Sequence, residues 1–515
     1  MAAIGRKTDT WGSRFGFIMA AVGSSVGLGN FWRFPFTAGE NGGGAFIIIY
    51  LICVLLFGLP VLMAEYALGR KSGRSAIDGI SYLAAEEGKS GVWTIVGWIG
   101  SLAAFGILTF YMVISAWIVA FVPQAFSGSF SSLLSDASVL NANIGATAVS
   151  INEQIQAVDL SSGCSFIKDG IIVQPTEEID GVMTLRDFAA GDVSGCSFGH
   201  SIGNSFWVLA LLAGFIAVNV AVLARGVKGG LERAASILMP LFFVLLIGIV
   251  AFSLITGDAA KAANFLLAPD FSAVTFETFL AAIGQAFFSI GVGSCLMITY
   301  GAYLSRETDI PRASGIVAGA DTLVAMIAGF AIFPIVFQFG VDPAGGAGLF
   351  FVSLPIAFGQ MPAFVGGAFF ILALFAALTS SISLMEVGVS WLEDRNGIGR
   401  PRAAMIVGGL LFAIGALYVF DGALIDLVDF ITGQIMLPLG GILVSVFAGW
   451  VLSRPSIATE LGDGTIMSAW RFACRYIVPP AVTFVLVFGA LDTAQNNGWI
   501  DLPDAFIPLI GPNAT

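Results

Sequence analysis

Residues 22–35 read VGSSVGLGNFWRFP and lie inside the first long apolar segment of the chain. Glycine and serine occupy five of seven consecutive positions here, namely Gly23, Ser24, Ser25, Gly27 and Gly29. Each glycine in a helix interior costs about 1 kcal/mol relative to alanine, so the stretch predicts a break in a membrane helix. Backbone groups that such a break frees in hydrocarbon need other partners, and breaks are tolerated where they line a cavity. The stretch therefore predicts a binding site.

The composition is that of a polytopic membrane protein in a lipid bilayer. Of 515 residues, 57% are hydrophobic and 11% are charged, and the mean hydropathy is +0.92; soluble domains are far more polar. The net charge of −12 disfavours a nucleic-acid partner. One histidine and five cysteines leave little material for a zinc site or a histidine-based catalytic centre. Cys164 and Cys196 share one polar stretch and could form a disulfide outside the cytoplasm.

Eleven segments are long and apolar enough to form spanning helices, which need about 20 such residues. These segments, named spans 1 to 11 below, lie at 13–38, 44–69, 92–124, 204–224, 233–255, 277–304, 313–340, 366–393, 403–420, 424–452 and 470–491. The polar stretch 125–203 is expected to be a partly ordered external loop. The segment 341–365, interrupted by glycine and proline, is expected to be a re-entrant or lid-like external loop.

The basic residues predict the orientation in the membrane. With the N-terminus inside, eighteen of the 22 Lys and Arg residues fall in cytoplasmic loops, three fall outside and Arg33 lies in the membrane. The tail after residue 491 contains three aspartates and no basic residue, which predicts an external C-terminus and an odd number of spans.

A second glycine-interrupted stretch, FFSIGVGSC, lies at 287–295 in span 6. Paired discontinuous helices in two halves of a chain point to a transporter site between inverted repeats. The alternative is that both glycine-rich stretches are close contacts between intact helices.

Polar residues within the spans favour binding of a hard cation. The ionisable ones are costly in a membrane and mark a pathway or a buried pair; they are Arg33, Glu65, Asp321, Glu386 and Asp429. Hydroxyl, amide, carboxylate and carbonyl oxygens suit Na⁺ rather than zinc or copper. Thr379 and Ser380 could instead bond to their own i−4 carbonyls. Glu65 is expected to cap the unwound backbone of span 6.

The stretch GSSVGLGNFWRFPFTAGENGGGAF, at 23–46, closely resembles the first-span signature of the neurotransmitter:sodium symporter family, and its bacterial leucine-transporter-type members above all. Further matches are AEYALGR at 64–70, GQAFFSIGVG at 284–293, LTSSISLMEVGVSWLEDR at 378–395 and LVDFITG at 427–433. They follow the family order along nearly the whole chain.

The resemblance implies an all-α polytopic membrane protein of the LeuT-type fold. Two inverted five-helix repeats would occupy 13–255 and 277–452, followed by an extra helix at 470–491. A cytoplasmic N-terminus at 1–12 and an external tail at 492–515 would flank them. The family also implies a monomer or dimer in the cell (inner) membrane of a bacterium.

Two Na⁺ sites are implied by the resemblance. The first would combine the substrate carboxylate with the Ser25 carbonyl, Asn30, Ser289 and Asp321. The second would combine the carbonyls of Gly23, Val26 and Ala376 with the hydroxyls of Thr379 and Ser380. Because the substrate would be a ligand in the first site, ion and substrate binding would be mutually dependent.

The residues that resemble the chloride site of animal members indicate that chloride is not required. Tyr50, Gln285 and Ser289 match that site, but Ala325 replaces a chloride-ligating serine and Asp321 replaces an asparagine. The carboxylate supplies the negative charge that chloride would bring, so chloride-independent transport is expected.

The resemblance also implies a substrate pocket and gates. The pocket residues would be Ser24, Ser25, Gly27, Gly29, Ile107, Tyr111, Phe288, Ser289, Gly291, Ser294, Ser381 and Leu384. Gly27 stands where monoamine carriers have aspartate, which favours a substrate with a carboxylate. Arg33 and Asp429 would form the external gate above a lid of Tyr111 and Phe288. Asp394 would belong to an inner gate whose usual arginine is replaced by Thr8, so that Arg6 or Lys7 could substitute.

The expected function is Na⁺-coupled import of an amino acid by alternating access. Alternatives are a related carboxylate or sulfonate solute such as GABA, betaine or taurine, a ligand-gated conductance, and a receptor that does not transport. An enzyme is not expected, because no nucleophile with an adjacent base stands out.

Overall fold

The computed structural model describes residues 9–133, 190–340 and 349–496, together with four short strands between residues 167 and 185. The strands form two antiparallel hairpins, Ile167–Lys168 with Ile171–Ile172 and Thr176–Ile179 with Val182–Leu185. The described remainder is built from helices, turns and short connections, so the membrane part is all-α as predicted.

Nine helices in the described ranges are long and apolar enough to cross a membrane. They are Gly44–Ser72, Gly91–Ser127, Ser205–Leu223, Val227–Thr256, Ile310–Gln338, Ala363–Asn396, Arg400–Phe420, Ala423–Val451 and Thr465–Leu491. Each coincides with one predicted span. Span 1 is a pair of helices, Arg14–Ser25 and Gly29–Glu40, bent by 57°. Span 6 consists of two shorter helices, Phe276–Ile290 and Leu296–Ala302. The total of eleven spans, their orientation and the division into two repeats remain predictions.

Shorter elements connect the spans. Helices outside them are Ala76–Glu86, Ala190–Gly203, Ala259–Leu267, Leu354–Gly359 and Arg454–Leu461. Short π-helical turns lie within or at the start of several helices. They are Gly29–Arg33, Val54–Gly58, Val227–Glu232, Leu349–Ser353, Phe430–Met436, Phe447–Val451 and Ala473–Ile477. Short 3₁₀ turns lie at Gly91–Thr94, Ser129–Ser132 and Phe271–Ala273.

The spans divide into an inner and an outer group. In their most apolar stretches, spans 3 and 8 are 72% and 67% buried, whereas spans 4, 5 and 11 are 22–33% buried. Large apolar side chains on span 5, such as Val244 and Ile255, are exposed. Apolar helices with exposed faces need a hydrocarbon environment, so the outer group faces lipid and the inner group encloses the two broken spans.

Several predictions concern residues at the edge of the described ranges. Cys196 is disulfide-bonded, while its predicted partner Cys164 lies outside the described residues. Of the segment 341–365, the structure describes a helical stretch from Leu349 to Gly359 and the start of span 8.

Candidate ion and substrate site between the two broken helices

The break in span 1 leaves backbone carbonyl groups without helical partners. The helix ends at Ser25, and Val26 adopts an extended conformation with φ −73° and ψ 100°. The carbonyls of Gly23 and Val26 both accept a hydrogen bond from the Ser380 hydroxyl of span 8, each at 3.3 Å. The predicted break is confirmed, and it directs oxygen atoms towards span 8.

The break in span 6 has a different geometry. Gly291 and Gly293 adopt φ angles of 75° and 88°, in the left-handed region that glycine tolerates, and Cys295 adopts 57°. The buried carboxylate of Glu65 accepts hydrogen bonds from the Gly293 amide at 2.6 Å and the Met297 amide at 3.1 Å. The prediction that Glu65 caps this unwound backbone is confirmed.

Three polar side chains meet beside these breaks in the centre of the protein. The Asn30 amide donates to Asp321 Oδ1 at 2.8 Å and to Ser289 Oγ at 3.2 Å. The Ser289 hydroxyl donates to Asp321 Oδ2 at 2.6 Å. Asp321 is fully buried, and no Lys or Arg forms an ion pair with it in the described part of the chain. A buried carboxylate without a cationic partner is costly, and a bound cation would supply the missing charge.

A second oxygen cluster joins spans 1 and 8. Ser380 contacts both span 1 carbonyls, and the Thr379 hydroxyl donates to the carbonyls of Ala376 at 3.1 Å and Phe375 at 3.0 Å. Thr379 therefore makes the alternative hydrogen bond to its own i−4 carbonyl, that of Phe375, whereas Ser380 bonds across to span 1. Of the five oxygens predicted for a second Na⁺ site, the Ser380 hydroxyl contacts the carbonyls of Gly23 and Val26, and the Thr379 hydroxyl contacts that of Ala376.

A small, partly open cavity of about 60 Å³ lies between the breaks. Eleven of the twelve predicted pocket residues line it: Ser24, Ser25, Gly27, Gly29, Ile107, Tyr111, Phe288, Ser289, Gly291, Ser294 and Leu384. The structure adds Leu28, Leu296, Ser380 and Leu437. Leu437 carried no sequence signal, because it is one apolar residue of an apolar span.

Ser381 is the predicted pocket residue that the structure places elsewhere. Its hydroxyl donates to Asn219 Oδ1 of span 4 at 2.8 Å, and its neighbour Ser380 lines the cavity instead. Successive helical residues differ by about 100° in direction, so only one of two adjacent serines can face a given cavity. The sequence run alone does not reveal which one.

The cavity lining combines polar and apolar groups. Near the span 1 break, the Tyr111 hydroxyl accepts a hydrogen bond from the Leu28 amide at 3.4 Å, and the buried Ser24 hydroxyl has no hydrogen-bond partner among the described residues. A Cβ atom at Gly27 would lie 2.8 Å from Ser380 Oγ. Apolar side chains complete the lining, from Ile107, Phe288, Leu296, Leu384 and Leu437.

The predicted external gate residues lie close together without direct pairing. The Arg33 guanidinium lies 4.4 Å from the centre of the Phe288 ring, in a cation–π contact. Asp429 is near enough to Arg33 to interact with its charge, but the described structure contains no ion pair between them. Arg33 therefore packs on the predicted aromatic lid in this conformation.

At the opposite end, Asp394 accepts a hydrogen bond from the Ser75 amide at 2.7 Å. Its proposed partners Arg6 and Lys7, and Thr8, lie outside the described residues. Trp11 closes this end: its indole donates to the Tyr300 carbonyl at 3.2 Å, and its ring contacts Tyr303.

Glu386, which lies deeper in span 8, accepts from the Tyr303 hydroxyl at 2.5 Å and pairs with Arg400. The sequence did not single out Tyr303 or Arg400.

Comparisons with known proteins agree with this geometry. The model of the Sodium:neurotransmitter symporter family matches residues 8–500. An uncharacterised sodium-dependent transporter of Bacillus subtilis, YhdH, is 33% identical over 94% of this chain and 98% of its own length. The sodium-dependent nutrient amino acid transporter 1 of Drosophila erecta is 26% identical over 95% of this chain and 80% of its own. The crystal structure of MhsT in complex with L-phenylalanine superposes with a TM-score of 0.75 at 34% identity, over 93% of this chain and 99% of MhsT.

Proposed function

The chain belongs to the sodium:neurotransmitter symporter family and is a multi-pass, Na⁺-coupled transporter, and we propose that it imports an amino acid without requiring chloride. The observation that carries this proposal is the cavity between two broken helices, with the buried Asp321 cluster at its edge. The phenylalanine complex of MhsT supports an amino-acid substrate.

Two Na⁺ ions are proposed to bind beside this cavity. Asn30, Ser289, Asp321 and the Ser25 carbonyl would hold the first, with Asp321 providing the negative charge. Ser380, Thr379 and the carbonyls of Gly23, Val26 and Ala376 would hold the second. Oxygen atoms of this kind are the ligands that hard cations prefer, and the bonds from Ser380 to the Gly23 and Val26 carbonyls support the second set.

The substrate is proposed to bind with its carboxylate at the polar groups beside the span 1 break. The Tyr111 hydroxyl and the backbone of that break can donate to the carboxylate, and the first Na⁺ ion would contact it. The apolar side chains of the lining would surround the substrate side chain. Gly27 leaves no room for an aspartate that could replace the carboxylate, because its Cβ would already lie 2.8 Å from Ser380 Oγ.

Chloride independence is proposed from the surroundings of Asp321. The carboxylate interacts with Ser289 at 2.6 Å and lies near the Tyr50 hydroxyl. Ala325 is buried on the same helix and offers no hydroxyl. The negative charge that chloride would otherwise supply is therefore built into span 7.

Arg33, Phe288, Tyr111 and Asp429 are proposed to form the outer gate, and Asp394 an inner one. The cation–π contact of Arg33 with Phe288 supports the first assignment. The hydrogen bond that the half-buried Asp394 accepts from the Ser75 amide supports the second as a structural contact.

Uptake by purified protein in proteoliposomes tests the proposal. Radiolabelled amino acids should accumulate when Na⁺ is supplied outside and K⁺ inside, and Asp321→Ala should abolish accumulation. Uptake should be unchanged when gluconate replaces chloride; a several-fold loss would contradict chloride independence. Failure of every amino acid, with accumulation of betaine, taurine or GABA, would contradict the substrate class but not Na⁺ coupling.

A further inference from the structure

The start of span 1 is held by a single carboxylate from span 5. Glu232 is the last residue of the π-helical turn Val227–Glu232, and its side chain is buried. Its Oε2 accepts a hydrogen bond from the Gly12 amide at 2.6 Å, and its Oε1 accepts from the Ser13 hydroxyl at 2.9 Å. Ser13 is itself the N-cap of the first helix, since its hydroxyl accepts from the Gly16 amide at 2.9 Å.

Two glycines make room for this carboxylate. A Cβ atom at Gly16 would overlap the Glu232 carboxylate, and one at Gly12 would lie 3.1 Å from Oε2. Neither glycine adopts a positive φ angle. Their lack of a side chain is therefore required by the space that the carboxylate occupies and not by backbone conformation.

The bonding of Glu232 differs from that of neighbouring buried carboxylates. Glu386 is paired with Arg400, and Glu460 with Arg70. In the described part of the chain, Glu232 has no Lys or Arg partner and bonds only to donors at the start of span 1. A carboxylate near a helix N-terminus is also favoured by the helix dipole. The contact therefore joins spans 5 and 1 directly and is lost if span 1 moves away.

The helix that starts at this contact ends at the second oxygen cluster. The helix Arg14–Ser25 has twelve residues, which corresponds to a rigid rod about 18 Å long. Gly23, near its far end, packs against span 5 so closely that a Cβ there would lie 2.9 Å from Met239 Sδ. Because a rigid rod turns as one body, a tilt at the Glu232 end also turns the Gly23 carbonyl relative to Ser380.

We propose that Glu232 is a positioning residue for Na⁺ binding. Its carboxylate holds the start of span 1 in the inward-closed position and thereby keeps the span 1 carbonyls in place for the second Na⁺ ion. Loss of its two hydrogen bonds frees the helix to tilt, opens the inner end and weakens that ion site. This inference rests on the proposed second Na⁺ site.

Four variants of the full-length protein test this role. Glu232→Ala removes the contact, Gly16→Ala displaces the carboxylate without removing it, and the double variant combines both changes. Glu307→Ala removes an exposed carboxylate at the same end of the molecule and serves as the matched control. The readouts are hydrogen–deuterium exchange of residues 14–25 and the Na⁺ concentration for half-maximal thermal stabilisation, both measured without substrate.

Glu232→Ala should accelerate exchange in residues 14–25 and raise the half-maximal Na⁺ concentration about tenfold or more, because either of the two lost hydrogen bonds to the charged group alone accounts for about that ratio. Exchange in span 3 should not change, and Glu307→Ala should match the wild type in both readouts. Gly16→Ala should reproduce the effect. The double variant should show no faster exchange and no higher half-maximal Na⁺ concentration than Glu232→Ala, because the alanine at position 16 then has no carboxylate to displace.

The proposal is overturned if Glu232→Ala leaves exchange and Na⁺ dependence unchanged. It is also overturned if the effects of Glu232→Ala and Gly16→Ala add fully in the double variant. Where Glu232→Ala does not yield folded protein, Glu232→Gln takes its place, because it retains the side-chain volume and one acceptor. Glu232→Gln should raise the half-maximal Na⁺ concentration by a smaller factor. An unchanged half-maximal Na⁺ concentration overturns the proposal. If the wild type shows no stabilisation by Na⁺, the proposed second Na⁺ site fails, whereas the exchange data still decide whether Glu232 holds span 1.

Discussion

Carbonyls freed at the span 1 break accept from a neutral hydroxyl, whereas amides freed at the span 6 break donate to a buried carboxylate. The span 1 carbonyls of Gly23 and Val26 share one hydroxyl from Ser380, at 3.3 Å each. The span 6 amides of Gly293 and Met297 bond to the carboxylate of Glu65 at 2.6 and 3.1 Å. Two interruptions that look alike in sequence therefore have partners of different chemistry.

This difference shows which break can exchange its partner. Carbonyls that share one neutral hydroxyl can turn to a cation at little cost. Amides bound to a buried carboxylate are fixed, because their release would leave a buried charge unpaired. The span 1 break is thus suited to binding and releasing an ion in each cycle, and the span 6 break to holding its shape.

The largest effect is expected for Glu65→Ala, which removes the partner of the span 6 amides. Two hydrogen bonds to a charged group are lost, so the free energy of unfolding should fall by about 3–6 kcal/mol. Thermal unfolding in detergent measures this, and uptake should be abolished. Glu86→Ala, which breaks an exposed pair with Lys71, should cost less than about 1 kcal/mol. Equal losses for the two variants would contradict the fixed role of Glu65.

A smaller effect is expected from alanine at the span 6 glycines, and the two sites should differ. Gly291→Ala meets no atom within 4 Å and should cost about 1–2 kcal/mol for its left-handed backbone. Gly293→Ala has the same conformational cost and would also overlap the Leu437 carbonyl, which adds about 1–3 kcal/mol. Unfolding of both variants measures the difference. A larger loss for Gly291→Ala would contradict the assigned contact.

Ser380→Ala tests whether the span 1 break depends on its hydroxyl. The half-maximal Na⁺ concentration should rise about tenfold, as expected for loss of one oxygen ligand worth roughly 1–1.5 kcal/mol. Ser381→Ala is the matched control, because its hydroxyl bonds to Asn219 and not to span 1. That variant should lose some stability but keep its Na⁺ dependence. The same Na⁺ shift in both variants would place the ion elsewhere.

The smallest effect is expected for Ser25→Ala, which removes a direct link between the two breaks. The Ser25 hydroxyl donates to the Ile290 carbonyl at 3.2 Å. Its loss should lower the free energy of unfolding by about 1 kcal/mol, the usual contribution of one neutral hydrogen bond. Na⁺ and substrate affinities should shift together if the link couples the breaks. A shift in only one of them would show that the breaks act separately.

The spans and both breaks could be predicted from sequence because their causes are local. An apolar run of about 20 residues defines a span, and clustered glycines define a break. The predicted bounds therefore fall within a few residues of the observed helices, as for 92–124 against Gly91–Ser127. The site residues depended on the family resemblance, and the structure brings eleven of twelve pocket residues around one cavity.

The remaining features depend on contacts between distant residues. Leu437 lines the cavity because span 10 packs beside span 6, and no local pattern distinguishes it from other leucines. Arg33 packs on Phe288 and not directly on Asp429, since its position depends on how spans 1 and 6 bend. Glu232 carried no signal, because its partners lie about 220 residues earlier in the chain.

The sequence by itself determined a membrane protein with glycine-rich breaks at 22–35 and 287–295, because hydrocarbon restricts which segments can span and where a helix can open. The tertiary structure alone decided the partner of each freed group: Ser380 for the span 1 carbonyls, Glu65 for the span 6 amides and Glu232 for the start of span 1. The physical reason is that a hydrogen bond depends on distance and direction in space, which residues far apart in sequence acquire only when the helices pack.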